Sequence, residues 1–311
     1  MPEVFEVEDV VSAVDRLERL FTPVGASTVR RLLEEKGLVT RCDPASLGDK
    51  VYAVDSAFPK SPVNLVGGSV SIVAVAAVRR GDAWRLVRRW VIVEPFGDID
   101  MDYVRGFARL QERLAALSLE EPEAIIFDGE LVPRPGRGDL WRQVETASER
   151  VLELTSRGVI VAGVLKRSYS RTFAKLLELD VSDRVIASAA LKRGEVMVTR
   201  HPDERLGRRG CVEAFYKPLR GPPVAAKLEA CCPGGLGECC RLASFLAAEA
   251  GATGFPWFLD LADALVKREA AQVEAVAAAL LSRLARRGSL HLGYRANLQE
   301  QGAGDRRQRR R

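Results

Sequence analysis

Apolar and polar positions along this chain change period several times. Residues 4–36 show helical spacing in two pieces divided by "TPVGA", whose Pro and Gly interrupt the pattern. The period then shortens. "VYAVDS" (51–56), "GSVSIVAVAAVRR" (68–80) and "WRLVRRWVIVEP" (84–95) read as strands, and Gly81-Asp82 between the last two is a hairpin turn that makes them antiparallel. "MDYVRGFARLQERLAALS" (101–118) returns to helical spacing, with Tyr103, Val104, Phe107, Leu110, Leu114 and Leu117 on one stripe. A buried strand at 124–127, a helix at 139–157, a strand at 158–165 and short helices at 169–179 and 182–190 follow. Two further strand-like runs, "GCVEAFYKPL" and "PPVAAKLEA", lead to a helix at 238–250 and then to one long amphipathic helix that starts near Pro256.

Alternating strands and helices predict an α/β protein with a mixed sheet flanked by helices. No repeat or long linker interrupts the pattern. The expected organisation is one domain over residues 1–304, its core at about 50–270, followed by a basic tail, "DRRQRRR", at 305–311. No window approaches the ~18 consecutive apolar residues of a membrane span, and "MPEVFEVEDV" is acidic where a signal peptide would be basic, so a cytoplasmic protein is expected.

The 311 residues carry a net charge of +5, compatible with a polyanionic partner without requiring one. Six cysteines include two vicinal pairs, Cys231-Cys232 and Cys239-Cys240. Adjacent cysteines diverge and fit a four-thiolate zinc site poorly; buried thiols, or disulfides as in proteins of hyperthermophiles, are the other readings. His201 and His291 fall in polar loop sequence and support no serine-histidine-aspartate arrangement, so both are read as surface residues.

The chemistry concentrates at aspartates. Two apolar strands run directly into Asp55 and Asp128. If the strands are neighbours, these carboxylates lie about one inter-strand spacing apart, roughly 5 Å. Two charges that close either retain a proton or bind a cation, and the absence of a basic neighbour points to a divalent metal. Glu112 sits at the flank of the helical stripe, where it can tilt toward the sheet or toward water. Lys166 and Lys217 each follow a strand and can neutralise phosphate charge, or are surface lysines; Tyr216 can stack on a base or cover the core.

The order strand aspartate, antiparallel hairpin, helix glutamate, strand aspartate resembles the ribonuclease H-like fold of nucleases and integrases. More closely, the chain resembles the NurA family of archaeal DNA nucleases. The resemblance is carried by "YAVDSAFP" (52–59), "LQERLAAL" (110–117), "IIFDGEL" (125–131), "VAGVLKRSYS" (161–170), "FYKPL" (215–219) and "GFPWFLDLADALVK" (254–267). It implies that Asp55, Glu112 and Asp128 are metal ligands; Lys166 and Lys217, as catalytic cations beside the metals, and Tyr216 are the candidate DNA contacts. Where the family has a histidine in its last motif, this chain has Asp263, an oxygen ligand suited to Mn²⁺ or Mg²⁺. The resemblance further implies two metal ions per site, 5′-to-3′ exonuclease and single-strand endonuclease activity, a homodimer, and a hexameric HerA-type helicase as partner in DNA end resection and double-strand break repair. The rival reading is a family member that has lost catalysis and serves as a DNA clamp or helicase-docking subunit, which Asp263 at the histidine position keeps open.

Overall fold

The computed structural model describes residues 25–81, 84–134, 136–199 and 204–287. The first predicted helix, the 305–311 tail, His201 and His291 lie outside them. The chain divides into two compact units, one drawn from Leu47–Val161 and Phe258–Arg311, the other from Met1–Ser46 and Ala162–Trp257.

The first unit is built on β2 (Val51–Ala57), which pairs antiparallel with β4 (Gly68–Arg79) and parallel with β6 (Ala124–Asp128). A strand with partners on both edges has no solvated side, and Val51 through Asp55 are all buried. β5 (Arg85–Pro95) runs along the whole of β4 as the expected hairpin, entered at Gly81 with φ 93°. β3 (Val63–Leu65), three residues long behind Pro62, also pairs with β4; it is too short to show a period. Helix α2 (Met101–Leu117) packs on β2 and β4, and Asp100 caps it by accepting the Asp102 amide at 2.8 Å. Helix α3 (Asp139–Leu152) packs on α2 and passes into a 3₁₀ turn at Glu153–Arg157, which together account for the predicted helix 139–157. Antiparallel hairpin, helix, then parallel strand is the ribonuclease H-like arrangement expected from the sequence.

The long C-terminal helix is corrected by the structure. It is two helices, α8 (Trp257–Ala270) and α9 (Val273–Arg286), separated at Ala271 and Gln272. The break lets α9 lay Val273 and Ala277 on Val63, Leu65, Val70 and Ile72 of β3 and β4, an apolar patch worth burying at about 25 cal/mol per Å².

In the second unit the strand order is β1 (Val39–Thr40), β8 (Val196–Thr199), β9 (Val212–Tyr216), β10 (Ala226–Cys231) and β7 (Ile160–Leu165), the last lying in this unit from Ala162 onward. β1 and β8 escaped sequence reading because two and four residues carry too little pattern. The helices are α1 (Ala26–Glu35), α4 (Thr172–Leu176), α5 (Asp183–Ala190), α6 (Glu204–Gly207) and α7 (Gly235–Ala248). Their core gathers Val29, Leu33, Phe173, Ile186, Met197 and Phe215. Glu213 and Glu229 stand directly opposite each other on β9 and β10, both buried, with the Lys227 ammonium 3.4 and 3.1 Å from them. All six cysteines are paired, Cys42 with Cys240, Cys211 with Cys231 and Cys232 with Cys239, which excludes the thiolate zinc site. α7 begins at Gly235, so the expected cysteine loop is largely the first turns of a helix.

Candidate metal centre

β2 and β6 are parallel with Val54 opposite Phe127, which sets Asp55 beside Asp128 near the carboxyl ends of adjacent strands; Asp55 is not the end of its strand, because β2 stays paired with β4 through Ser56 and Ala57. Such ends are where open α/β sheets bind ligands. Gly129 follows with φ 128°, a conformation costly for any other residue, and a Cβ there would approach the Arg109 guanidinium to 3.1 Å. The glycine therefore ends the strand at its aspartate. α8 supplies Asp263, and carboxylate oxygens of Asp55, Asp128 and Asp263 all lie within 4.8 Å of one another. Asp55 is buried, while the other two are half-buried.

Three carboxylates this close repel. Burial first, then the charges of Asp128 and Glu112 and more weakly that of Asp263, hold the Asp55 carboxyl well above the usual aspartate range, against the lowering effect of the Ser56 amide 2.7 Å from Oδ1. Oxygen-only donors at short mutual distance, one of them pushed toward protonation, suit a hard divalent cation, which removes the repulsion the fold imposes.

Glu112 faces inward, with 1% of its surface exposed. The stripe counted in the sequence is only part of the buried surface: Val104 and Leu110 are buried, Leu110 against Val144 and Ala147 of α3, whereas Leu114 is 38% exposed and Ala108, Glu112, Ala115 and Ala116 are buried beyond it. Its carboxylate lies beside the cluster without being one of the three that converge. Ser56 Oγ donates to Oε1 at 2.5 Å, Arg109 donates to both oxygens at 3.0 and 2.9 Å, and Arg113 donates to Oε2 at 3.1 Å.

The expectation of aspartates without a basic neighbour is thus overturned. Arg109 and Arg113 flank Glu112 at i−3 and i+1 of its own helix, and the charges of Glu112 foremost, then Asp55, hold the Arg109 guanidinium above its ordinary range against its burial. Arg113 has no exposed surface; it also donates to the carbonyls of Glu130 and Leu131 at 3.0 and 3.2 Å and lies 3.9 Å from the centre of the Phe127 ring. The spacing is present in "RLQER", but burial of an arginine runs against its base rate and is not legible from the sequence.

Three predicted residues belong to the second unit. Lys166 Nζ sits 5.5 Å from the centre of the Phe255 ring. Lys217 Nζ donates to the Ser188 carbonyl at 2.7 Å, and burial, then Arg193, lowers its pKa. Tyr216 is fully buried in β9, so of its two readings the structure selects the core and corrects the base-stacking one.

The sequence profile of the NurA domain matches residues 49–268. No curated protein matches the chain. Among solved structures, the NurA nuclease from Sulfolobus solfataricus superposes with a TM-score of 0.62 at 11% identity, covering 90% of this chain and 98% of that one. Another NurA structure gives 0.58 at 15% identity, with 90% and 98% covered. A NurA bound to dAMP and manganese gives 0.55 at 15% identity, with 84% and 93% covered. At these identities the likeness is one of fold.

Proposed function

The chain belongs to the NurA family, and from that premise we propose that it is a divalent-metal-dependent deoxyribonuclease whose centre is formed by Asp55, Asp128 and Asp263, with Mn²⁺ or Mg²⁺ as the cation. The observation that carries the reading is the convergence of these carboxylate oxygens within 4.8 Å at the ends of two parallel strands. A structure of a relative bound to dAMP and manganese supports the choice of substrate and ion. A cation held there would supply Lewis acidity and an activated water for phosphodiester hydrolysis. The chain's own residues do the rest. The sheet fixes Asp55 and Asp128, α8 brings Asp263, and Arg109 and Arg113 hold Glu112 oriented as the neighbouring fourth carboxylate, available as a ligand or to orient water. Lys166 and Lys217 serve the phosphate backbone.

The finer reading, with 5′-to-3′ exonuclease and single-strand endonuclease activity, two ions per site, a homodimer, and a HerA-type helicase partner in DNA end resection and break repair, rests on family membership alone. So does action as one nuclease domain, which the profile match over 49–268 supports because it spans residues of both units. The test is calorimetric Mn²⁺ titration of the wild type and Asp128→Asn, with cleavage of end-labelled single-stranded DNA on the same samples. Binding and cleavage in the wild type, both lost in Asp128→Asn, are expected. DNA binding by the wild type without Mn²⁺ uptake or cleavage would replace the nuclease with a docking or clamp subunit.

A further inference from the structure

Behind β7 the chain makes a short polar loop, "KRSYSR" (166–171), that the metal centre does not account for. Tyr169 in its middle is 88% exposed, an aromatic ring left in water. Yet the backbone on its C-terminal side is tightly held. The Ser168 hydroxyl accepts the Ser170 amide at 3.2 Å and contacts the Ser170 hydroxyl at 3.1 Å, and the Ser170 carbonyl accepts the Asp183 amide at 2.9 Å. The fully buried Asp183 carboxylate accepts the Thr172 and Ala174 amides, both at 2.7 Å, so the start of α4 is clamped directly behind the loop. Arg171 is engaged by Asp180. The cations that precede the ring in the same loop are Lys166, whose ammonium lies 5.5 Å from the centre of the Phe255 ring, and Arg167, whose charge adds to burial in lowering the pKa of Arg184. An exposed ring on a fixed backbone, directly preceded by two cations in its loop, combines a stacking surface with charge for a polyanion.

We propose that Tyr169 is a base-stacking platform for single-stranded DNA, with Arg167 and Lys166 contacting the flanking phosphates. This rests on the nuclease reading and gives its substrate strand a contact point. Burying one face of the ring on a base is worth about 1–3 kcal/mol, or roughly 5- to 150-fold in affinity. It also gives the second unit the aromatic contact that the buried Tyr216 cannot provide.

The test is fluorescence anisotropy with a labelled oligothymidylate and the full chain in chelator, comparing wild type with Tyr169→Ala, Tyr169→Phe and Tyr169→Trp, each checked by thermal melting. Tyr169→Ala should weaken binding by about tenfold, Tyr169→Phe should match the wild type, and Tyr169→Trp should bind as well or better, all at unchanged melting temperature. Arg167→Ala should lower the salt slope by about one phosphate contact. Undiminished binding by Tyr169→Ala, beside a wild type that binds the oligomer and cuts DNA with Mn²⁺, overturns the platform and leaves the nuclease standing. Equal loss in Tyr169→Ala and Tyr169→Phe assigns the contact to the hydroxyl and overturns stacking. A wild type that neither binds nor cuts removes the nuclease reading, and the platform with it.

Discussion

Replacing Asp55 by Asn is the sharpest perturbation of the carboxylate cluster, because it removes a charge and keeps the shape. Two unit charges 4.8 Å apart repel by about 3–4 kcal/mol at an effective dielectric near 20. The raised Asp55 pKa shows that the folded state resists this charge, so the relief on substitution is at most this repulsion. At roughly 2–4 °C per kcal/mol, the variant should melt a few degrees above the wild type in chelator. The sign with pH follows from the raised Asp55 pKa. The folded state keeps a proton that the unfolded state releases, so this contribution is present below the unfolded value of about 3.9 and is lost as pH rises through the folded one. The advantage of the variant should therefore vanish near pH 4 and grow upward. Mn²⁺ should reverse the order: at 100 times its Kd it adds about 2.7 kcal/mol to the wild type and much less to the variant. Melting curves across pH, with and without Mn²⁺, read both effects. A variant that melts below the wild type in chelator at every pH would show that Asp55 is structural and that no repulsion is stored at the strand ends.

Mn²⁺ affinity, measured by calorimetry, should fall steadily on acidification, because protons compete for Asp55; a flat profile would place the ion elsewhere. Asp263→His should retain cleavage and move metal preference toward softer ions, and an unchanged preference in competition assays would remove Asp263 from the centre. Arg113→Met leaves the buried Glu112 to Arg109 and the Ser56 hydroxyl and removes the guanidinium's hydrogen bonds to the Glu130 and Leu131 carbonyls, so urea unfolding should show a loss of about 3–5 kcal/mol. Lys227→Met removes the ammonium shared by the facing Glu213 and Glu229, with a loss of similar size that shrinks at acid pH as Glu213, whose pKa burial raises, takes up a proton.

Long periods were legible in the sequence; short elements and departures from base rates were not. β2, β4, β5, α2 and β6 carry enough alternation or helical spacing to be read directly, and with them came Asp55 and Asp128 at strand ends. Glu112 cannot be oriented from the spacing, because α2 is buried beyond its apolar stripe, through the small Ala108, Ala115 and Ala116 as well as through Val104 and Leu110. Asp263 came from motif comparison, since its spacing on α8 says nothing of two strands more than a hundred residues earlier. The cysteine pairing is illegible for the same reason: partners set by tertiary packing leave no local period.

Each vicinal cysteine pair contributes its two sulfurs to different bridges, so Cys211, Cys231, Cys232, Cys239, Cys240 and Cys42 form an unbroken series in which every bridge adjoins the next. Six cysteines allow 15 pairings, and exchanging neighbours within a vicinal pair displaces a sulfur by a single residue. A preparation oxidised before folding is complete would therefore contain near-isomers identical in mass and charge, and peptide mapping across 231–240 becomes a condition for interpreting any activity measured on it.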